Sequence, residues 1–532
     1  MTRGDNTQQA PARPVAPHET GQTTGLFARL GTLATMPRLA GMVTLLSVWL
    51  LFFKLDARSF WWDEFNAVNN VGGSYHSVLQ FAAADVHPPL YFLSLWTWRQ
   101  IFSSSEWAMR GLSTILAVLS VPTVYALGAT LTNKKTGVLA ALLIATFPTF
   151  ILYARMVRYF SLYLLLGTFS SWVLLRAVRR TSRTRWVIYF FSVVALVYTH
   201  YLGVGLLICH GLYLAFFYPN RARTWLLVQG SAMAAYLPWM TVVLQQFSGV
   251  RAAAAADFGQ SWLNYPLKAA YGLYAFAVGE TTFPWDRAAI MAMLAVSVLT
   301  LLAIQGLLRN RRHSLAFLGL GLIVSLVWTI VATSILAPTM PFIRTASYMF
   351  YALPLLCILL AAGVSYARPS PLPGLLMAAL VAANAVGLTN YYMGRQFHNP
   401  IYAVSIQDAV ELVMAQEKPG DAIIADGDTV FNFYYERSGG PALHATTDTP
   451  SAAQDLVIRS DAPRIWLITF GRDRTRVGHP SEQIVAWLEQ VGVLANAWGF
   501  IQEDATYHEL KEKLLGRTDY DYKVLVRLYR RH

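Results

Sequence analysis

Eleven apolar runs punctuate this chain, at roughly 39–55, 108–131, 137–153, 159–177, 186–200, 202–218, 224–244, 287–307, 314–336, 345–365 and 373–393. Each is about 17–24 residues, the length an α-helix needs to cross the hydrocarbon core of a bilayer. A bilayer offers no water to unpaired backbone groups, so continuous runs of this kind read as helices. Composition agrees. Of 532 residues 55% are hydrophobic and 13% charged, with a mean hydropathy of +0.40, against about a quarter charged in soluble domains. The fold class is therefore mostly α, a polytopic membrane helical bundle of about eleven spans.

The formal net charge of +13 does not indicate nucleic acid, because the charges cluster in short loops between apolar runs. Alternate connections carry Lys134-Lys135, the arginines of 176–185, Arg221/Arg223, Arg309/Arg311/Arg312 and Arg368. The intervening connections are poorer in Lys and Arg. By the positive-inside rule this parity makes the N-terminus cytoplasmic. Segments 56–107, 154–158, 199–203 and 245–286, and everything after about 394, then lie outside. The polar stretch 1–38 reads as a disordered cytoplasmic tail. The run at 90–102 is too short for a span and suits a helix lying on the outer surface. Cys209 and Cys357 both fall inside apolar runs and indicate no disulfide.

Residues 394–532 change character: charge density rises and helical and period-2 patterns alternate. Helices are expected at 408–416 and 481–490, and strands at 421–425, 464–470 and 522–528. This is a C-terminal extracytoplasmic α/β domain without a Gly-rich phosphate loop, following the membrane domain 39–393.

The polar residues at the outer ends of the helices carry the chemistry. The first outer loop, 56–107, holds Trp61-Trp62-Asp63-Glu64-Phe65, Asp85 and His87-Pro88-Pro89-Leu90-Tyr91; further along lie Arg155, Arg158, His200, Glu280 and Arg344. Ionisable groups at a membrane are costly and point to function. A carboxylate facing several cations suits transfer from an anionic lipid donor: cations neutralise a departing phosphate, and a carboxylate accepts the proton of an acceptor hydroxyl. Asp63, Glu64 and His87 could ligate a divalent metal, but the loop has no Asp-x-Asp, and no obligatory metal or other cofactor is expected.

Trp62-Asp63-Glu64 resembles the first-loop acidic motif of the membrane glycosyltransferases with the C-type fold, a group that includes the protein O-mannosyltransferases and the bacterial transferase that adds aminoarabinose to lipid A. His87-Pro88-Pro89-Leu90-Tyr91, Glu106-Trp107-Ala108-Met109-Arg110, Ala154-Arg155-Met156, Thr199-His200-Tyr201, and Arg344 with Tyr348 and Pro354 resemble further motifs of the group, in order along 39–393. One departure is Tyr153, where the family often has Glu. The resemblance implies an inverting transfer from a polyprenyl-phosphate sugar to an extracytoplasmic acceptor, in a bacterial inner membrane. It implies Asp63 as base, Glu64 as its orienter or acceptor contact, and Arg155, Arg158, His200 and Arg344 around the phosphate, with His87 nearby and Glu280 as a further substrate contact. The competing reading is a lipid or sugar transporter or flippase. It would predict charged or broken helices near the midplane and an inverted repeat, and the chain shows neither pattern.

Overall fold

The computed structural model of the chain describes residues 23–257, 264–336, 342–367, 370–403, 405–425, 429–440, 443–446, 449–470, 480–501 and 523–532, with isolated positions between 502 and 522. All eleven expected runs are helical. Among the described residues seven helices are long and apolar enough to cross a membrane, or nine if each bent pair is one span. The other two runs form the 17-residue helix Arg183–Thr199 and the short apolar helix Tyr201–Phe217.

The bent pairs shape the outer end of the bundle. Lys134–Thr146 and Pro148–Ala154 meet at 62°, and Phe342–Tyr348 and Phe350–Tyr366 at 52°. The first bend follows from Pro148, which has no amide to continue the helix and pushes Phe147 into extended backbone (ψ 124°). The bend re-aims the turn at 153–158 into the bundle.

Two expectations need correction. Residues 23–38 are not an irregular tail: Thr23–Phe52 is one helix with Pro37 inside it, since extending a formed helix costs less than nucleating one. Residues 1–22 and Arg368 lie outside the described residues. The helix expected to end near 244 runs on as Pro219–Asp257, and a further helix, Asn264–Ala277, occupies the 245–286 segment.

The two sets of connections gather at opposite ends. Arg179 donates to the Thr130 carbonyl, Ser314 to that of Leu131, and His313 packs on Phe217. The poorly charged connections meet at the other end, beneath the C-terminal domain.

That domain is built on a mixed five-stranded sheet, with β1 (Ala422–Ala425), β2 (Leu443–Thr446), β3 (Arg464–Phe470), β4 (Gly492–Ile501) and β5 (Lys523–Arg531) in the order β2-β1-β3-β5-β4. β1 runs parallel to β2 and β3, and β5 antiparallel to β3 and β4. Alternate side chains serve two cores. Ile424, Ile465 and Leu467 pack on Val457, Ile484 and Leu488. Ile423, Trp466 and Ile468 join the core of the membrane domain through Val410, Val413, Phe431 and Tyr435.

The helices Ile406–Gln416 and Thr429–Arg437 form this junction, and their polar contacts converge on one short segment. Phe60 N donates to Tyr434 Oη (2.7 Å), Ile406 N to Ser59 Oγ (3.1 Å), and Arg437 pairs with Glu106 (3.0 Å). Tyr434 also hydrogen-bonds Glu106. Phe65 meets Phe433, and Trp61 meets Tyr402. The C-terminal domain thus grips residues 59–65 and Glu106. Tyr434→Phe leaves the buried Phe60 amide without its acceptor and is expected to destabilise the chain by about 1–3 kcal/mol. Thermal unfolding in mild detergent checks this; an unchanged midpoint would mean that the contact carries no load.

Candidate active site

Asp63 and Glu64 open the helix Trp62–Asn70, where the helix dipole favours carboxylates. Trp61 is extended, so Glu64 reaches back and accepts from Trp61 N at 3.3 Å. Its Oε1 accepts from Arg110 Nε (2.9 Å) and Val157 N (2.9 Å), and its Oε2 from Arg110 Nη2 (2.7 Å). Arg110 spends its remaining donors on the carbonyls of Leu55, Arg58 and Ser59 at 2.9–3.0 Å. Glu64 is 1% exposed. Both its oxygens are committed inside the chain, so of the two roles expected of Glu64 the geometry suits the orienter of Asp63 and not the acceptor contact.

Asp63, one residue earlier, points elsewhere, as successive helical positions do. Its side chain is 22% exposed, and Arg158 Nη2 lies 3.7 Å from its Oδ2. Arg158 is buried with Nε unpartnered. Burial lowers the pKa of its guanidinium, but Asp63 and Asp85 outweigh this and hold it above its usual value.

Around these two residues stands a ring of imidazoles and phenols. His87 Nδ1 lies 3.0 Å from Asp85 Oδ2. Burial raises the Asp85 pKa, yet His87 and then Arg158 hold it well below the usual carboxylate range. The His87 ring lies 4.8 Å from Tyr159 and 5.7 Å from His200, which also meets Tyr163 and Tyr348. His200 Nδ1 accepts from Leu202 N, which leaves the ring proton on Nε2. Burial, then His87 and Arg158, push the His200 pKa well down. With Nδ1 taken by the Leu202 amide, the imidazole offers Nε2 as its donor, and burial disfavours its charged form. Arg344 hydrogen-bonds Tyr348, which also sits in the fields of Asp63 and Arg158. Asp63, Arg158, His87, His200 and Arg344 thus come together.

Arg155 and Glu280 have other hydrogen-bond partners, although Tyr402 lies in the fields of Arg344, Glu280 and Asp63 together. Glu280 follows Gly279, whose φ of +108° and close approach to Pro148 require glycine. It is buried, and Tyr153 Oη reaches both its oxygens at 2.8 and 3.0 Å. The tyrosine that departs from the family pattern is thus the partner of this carboxylate. Burial pushes Glu280 up to about 8, against the lowering effect of bonds from Tyr153 and Tyr271. Arg155 turns away from Arg158 to the carbonyls of Phe53 (2.8 Å) and Lys54 (2.5 Å) and the rings of Tyr391 and Tyr392.

An apolar groove of about 740 Å³ lies between Asn264–Ala277, Arg287–Asn310, Arg312–Leu336 and Leu353–Tyr366. Phe342 and Met349 on its wall flank the turn that carries Arg344. Among the described residues no three His, Cys, Asp or Glu side chains gather closely enough to hold a metal ion. Arg110 entered the sequence reading only as part of a motif, and Arg58, Tyr402 and Tyr434 not at all; no periodicity or spacing marks them.

Residues 86–251 match the family model described as dolichyl-phosphate-mannose-protein mannosyltransferase. No curated protein matches the sequence significantly. The fold is similar to that of ArnT from Cupriavidus metallidurans in the apo state, with TM-score 0.53 and 11% identity over 94% of this chain and 98% of that one. The same protein bound to undecaprenyl phosphate gives 0.51 and 11% over 93% and 98%. The oligosaccharyltransferase of Archaeoglobus fulgidus, tethered with an acceptor peptide, gives 0.45 and 12% over 81% and 68%.

Two outcomes follow from the buried carboxylates. Glu64→Ala strands Arg110 as an uncompensated buried charge and is expected to cost about 3–5 kcal/mol, whereas Asp63→Asn leaves the thermal midpoint near that of the wild type. Unfolding of both variants side by side checks this contrast. Burial pushes Glu280 up to about 8, above the ordinary carboxylate range, so the folded chain binds that proton more tightly than the unfolded one. Its contribution therefore falls as pH rises through this window and levels off above it. Glu280→Gln should flatten that fall in the midpoint-against-pH curve; an identical slope in the variant would assign the fall to another group.

Proposed function

We propose that this chain, a membrane glycosyltransferase of the C-type fold, moves a sugar from a polyprenyl-phosphate donor to an acceptor hydroxyl outside the cytoplasm, with inversion. The observation that carries the reading is the convergence of a part-exposed Asp63 with Arg158 and Arg344, beside an apolar groove that starts at the Arg344 turn. The matching family is named for a dolichyl-phosphate sugar, and the ArnT of similar fold holds undecaprenyl phosphate. Both support a polyprenyl-phosphate donor, whose tail the groove would take.

In this reading the acceptor oxygen attacks the anomeric carbon while its proton passes to Asp63. The bond from that carbon to the lipid phosphate oxygen breaks on the opposite face, which inverts the centre. One base suffices, unlike the two carboxylates of retaining glycosidases, because the leaving phosphate is stabilised by Arg158 and Arg344 rather than by a proton. His200 donates from Nε2 to the same phosphate, and His87 flanks it. Glu64 keeps Asp63 in place through the helix they share. By the positive-inside rule the poorly charged connections support a site on the non-cytoplasmic face with the N-terminus cytoplasmic, and the resemblance to the bacterial group favours a bacterial inner membrane.

Asp63→Asn should lower transfer by roughly 10²–10⁴-fold while donor binding persists. Arg158→Ala should weaken donor binding as well. Transfer from a radiolabelled polyprenyl-phosphate sugar in membranes, with donor binding measured on purified protein, separates the two effects. Wild-type turnover by the Asp63 variant would remove it as the base.

A further inference from the structure

A cavity beside Glu64 carries more positive charge than the chain neutralises. Lys54, Arg58, Arg110 and Arg155 line it, and Glu64 is the one carboxylate on its wall. Glu64 is already spent on Arg110. Among the described residues no carboxylate pairs with Lys54, Arg58 or Arg155. Asp56, next to them in sequence, is exposed and forms no such pair.

The cations are held in place by other means. Arg58 donates to the Tyr391 carbonyl and stacks between Tyr391 (4.9 Å) and Phe397 (4.8 Å). Arg155 lies over Tyr391 (5.2 Å) and Tyr392 (5.1 Å), is 5% exposed, and has no partner for Nε. Lys54 adopts a φ of +51°, which lysine rarely takes, and its carbonyl meets Arg155. Burial, and then Arg155 and Arg110, lower the Arg58 pKa, although Tyr391 opposes them. Arg58 and Arg155, two packed guanidiniums in each other's field with no carboxylate partner and Lys54 at the rim, favour an anion between them.

We propose that this cavity is a second oxyanion site, separate from the one beside Asp63, and that it takes the phosphate of an anionic phospholipid headgroup. Asp63, His87, Arg158 and His200 do not line it. Its volume, about 50 Å³, suits one compact group and not a sugar ring. The planar guanidinium forks of Arg58 and Arg155 match phosphate oxygens. Phe53 and Met393, beside the cavity in sequence, are exposed apolar side chains suited to acyl chains. A free phosphate group offers the same chemistry from another source. The proposal does not require sugar transfer: a chain inactive as a transferase would still bind here.

The test uses the full chain in phosphatidylcholine nanodiscs, with and without phosphatidylglycerol, and inorganic phosphate added to the first set. Native mass spectrometry reads retained lipid, and thermal unfolding reads stabilisation. Phosphatidylglycerol should be retained and raise the midpoint, and Lys54→Gln and Arg58→Gln should each weaken retention roughly tenfold. Lys54 is exposed, so its variant reads the charge without disturbing the packed arginines. Arg158→Ala should leave retention unchanged. Stabilisation by inorganic phosphate instead, lost in the same variants, would keep the oxyanion site and change its source. No response to either probe, a response that survives both variants, or one abolished by Arg158→Ala would overturn the proposal.

Discussion

The buried pair of Glu64 and Arg110 holds together the end of this bundle that lies beneath the C-terminal domain. Through its two side chains it bonds the backbone at Leu55, Arg58, Ser59, Trp61 and Val157. It thus joins the end of the first helix, the start of the loop helix, the helix Glu106–Leu131 and the turn at 155–158. Desolvating two charges is expensive and is repaid only where the geometry is good and every lone pair is used. Both conditions hold here. The adjacent carboxylate is thereby fixed in space while remaining open to a substrate.

Neighbouring residues of like chemistry are repeatedly divided between tasks. Glu64 is an anchor and Asp63 is open. Arg155 and Arg158 share one turn, in which Arg158 N bonds the Met156 carbonyl, and the two guanidiniums serve different sites. One faces two carboxylates; the other faces two carbonyls and two tyrosines. The C-terminal domain adds a second layer, since Tyr434 and Arg437 hold the same loop that carries Asp63.

Much of this was legible in the chain. Apolar runs of spanning length have few physical solutions, and all of them are helices. The parity of basic loops predicted which connections share an end. The sequence grouped Asp63, Glu64, His87, Arg155, Arg158, His200, Glu280 and Arg344 at one site; the structure draws Asp63, His87, Arg158, His200 and Arg344 together, while Arg155 faces carbonyls and tyrosines. Direction and satisfaction were not legible. That Glu64 has no oxygen left depends on Val157, distant in sequence. That Tyr153 meets Glu280 depends on the bend at Pro148 and the left-handed Gly279. Burial disfavours the charged form of His200, and its motif does not encode that burial. β2 has four residues, too few for a pattern, and the early start of the first helix at Thr23 was masked by the polar composition around it.

The central claim is that the lipid phosphate leaves from beside Asp63. An electron cryomicroscopy structure of the chain with a polyprenyl phosphate tests it most directly. The account predicts phosphate density between Arg158 and Arg344, within reach of His200, with the tail in the groove behind Phe342 and Met349. Phosphate density confined to the Lys54–Arg58–Arg155 cavity, with nothing facing Asp63, would contradict it.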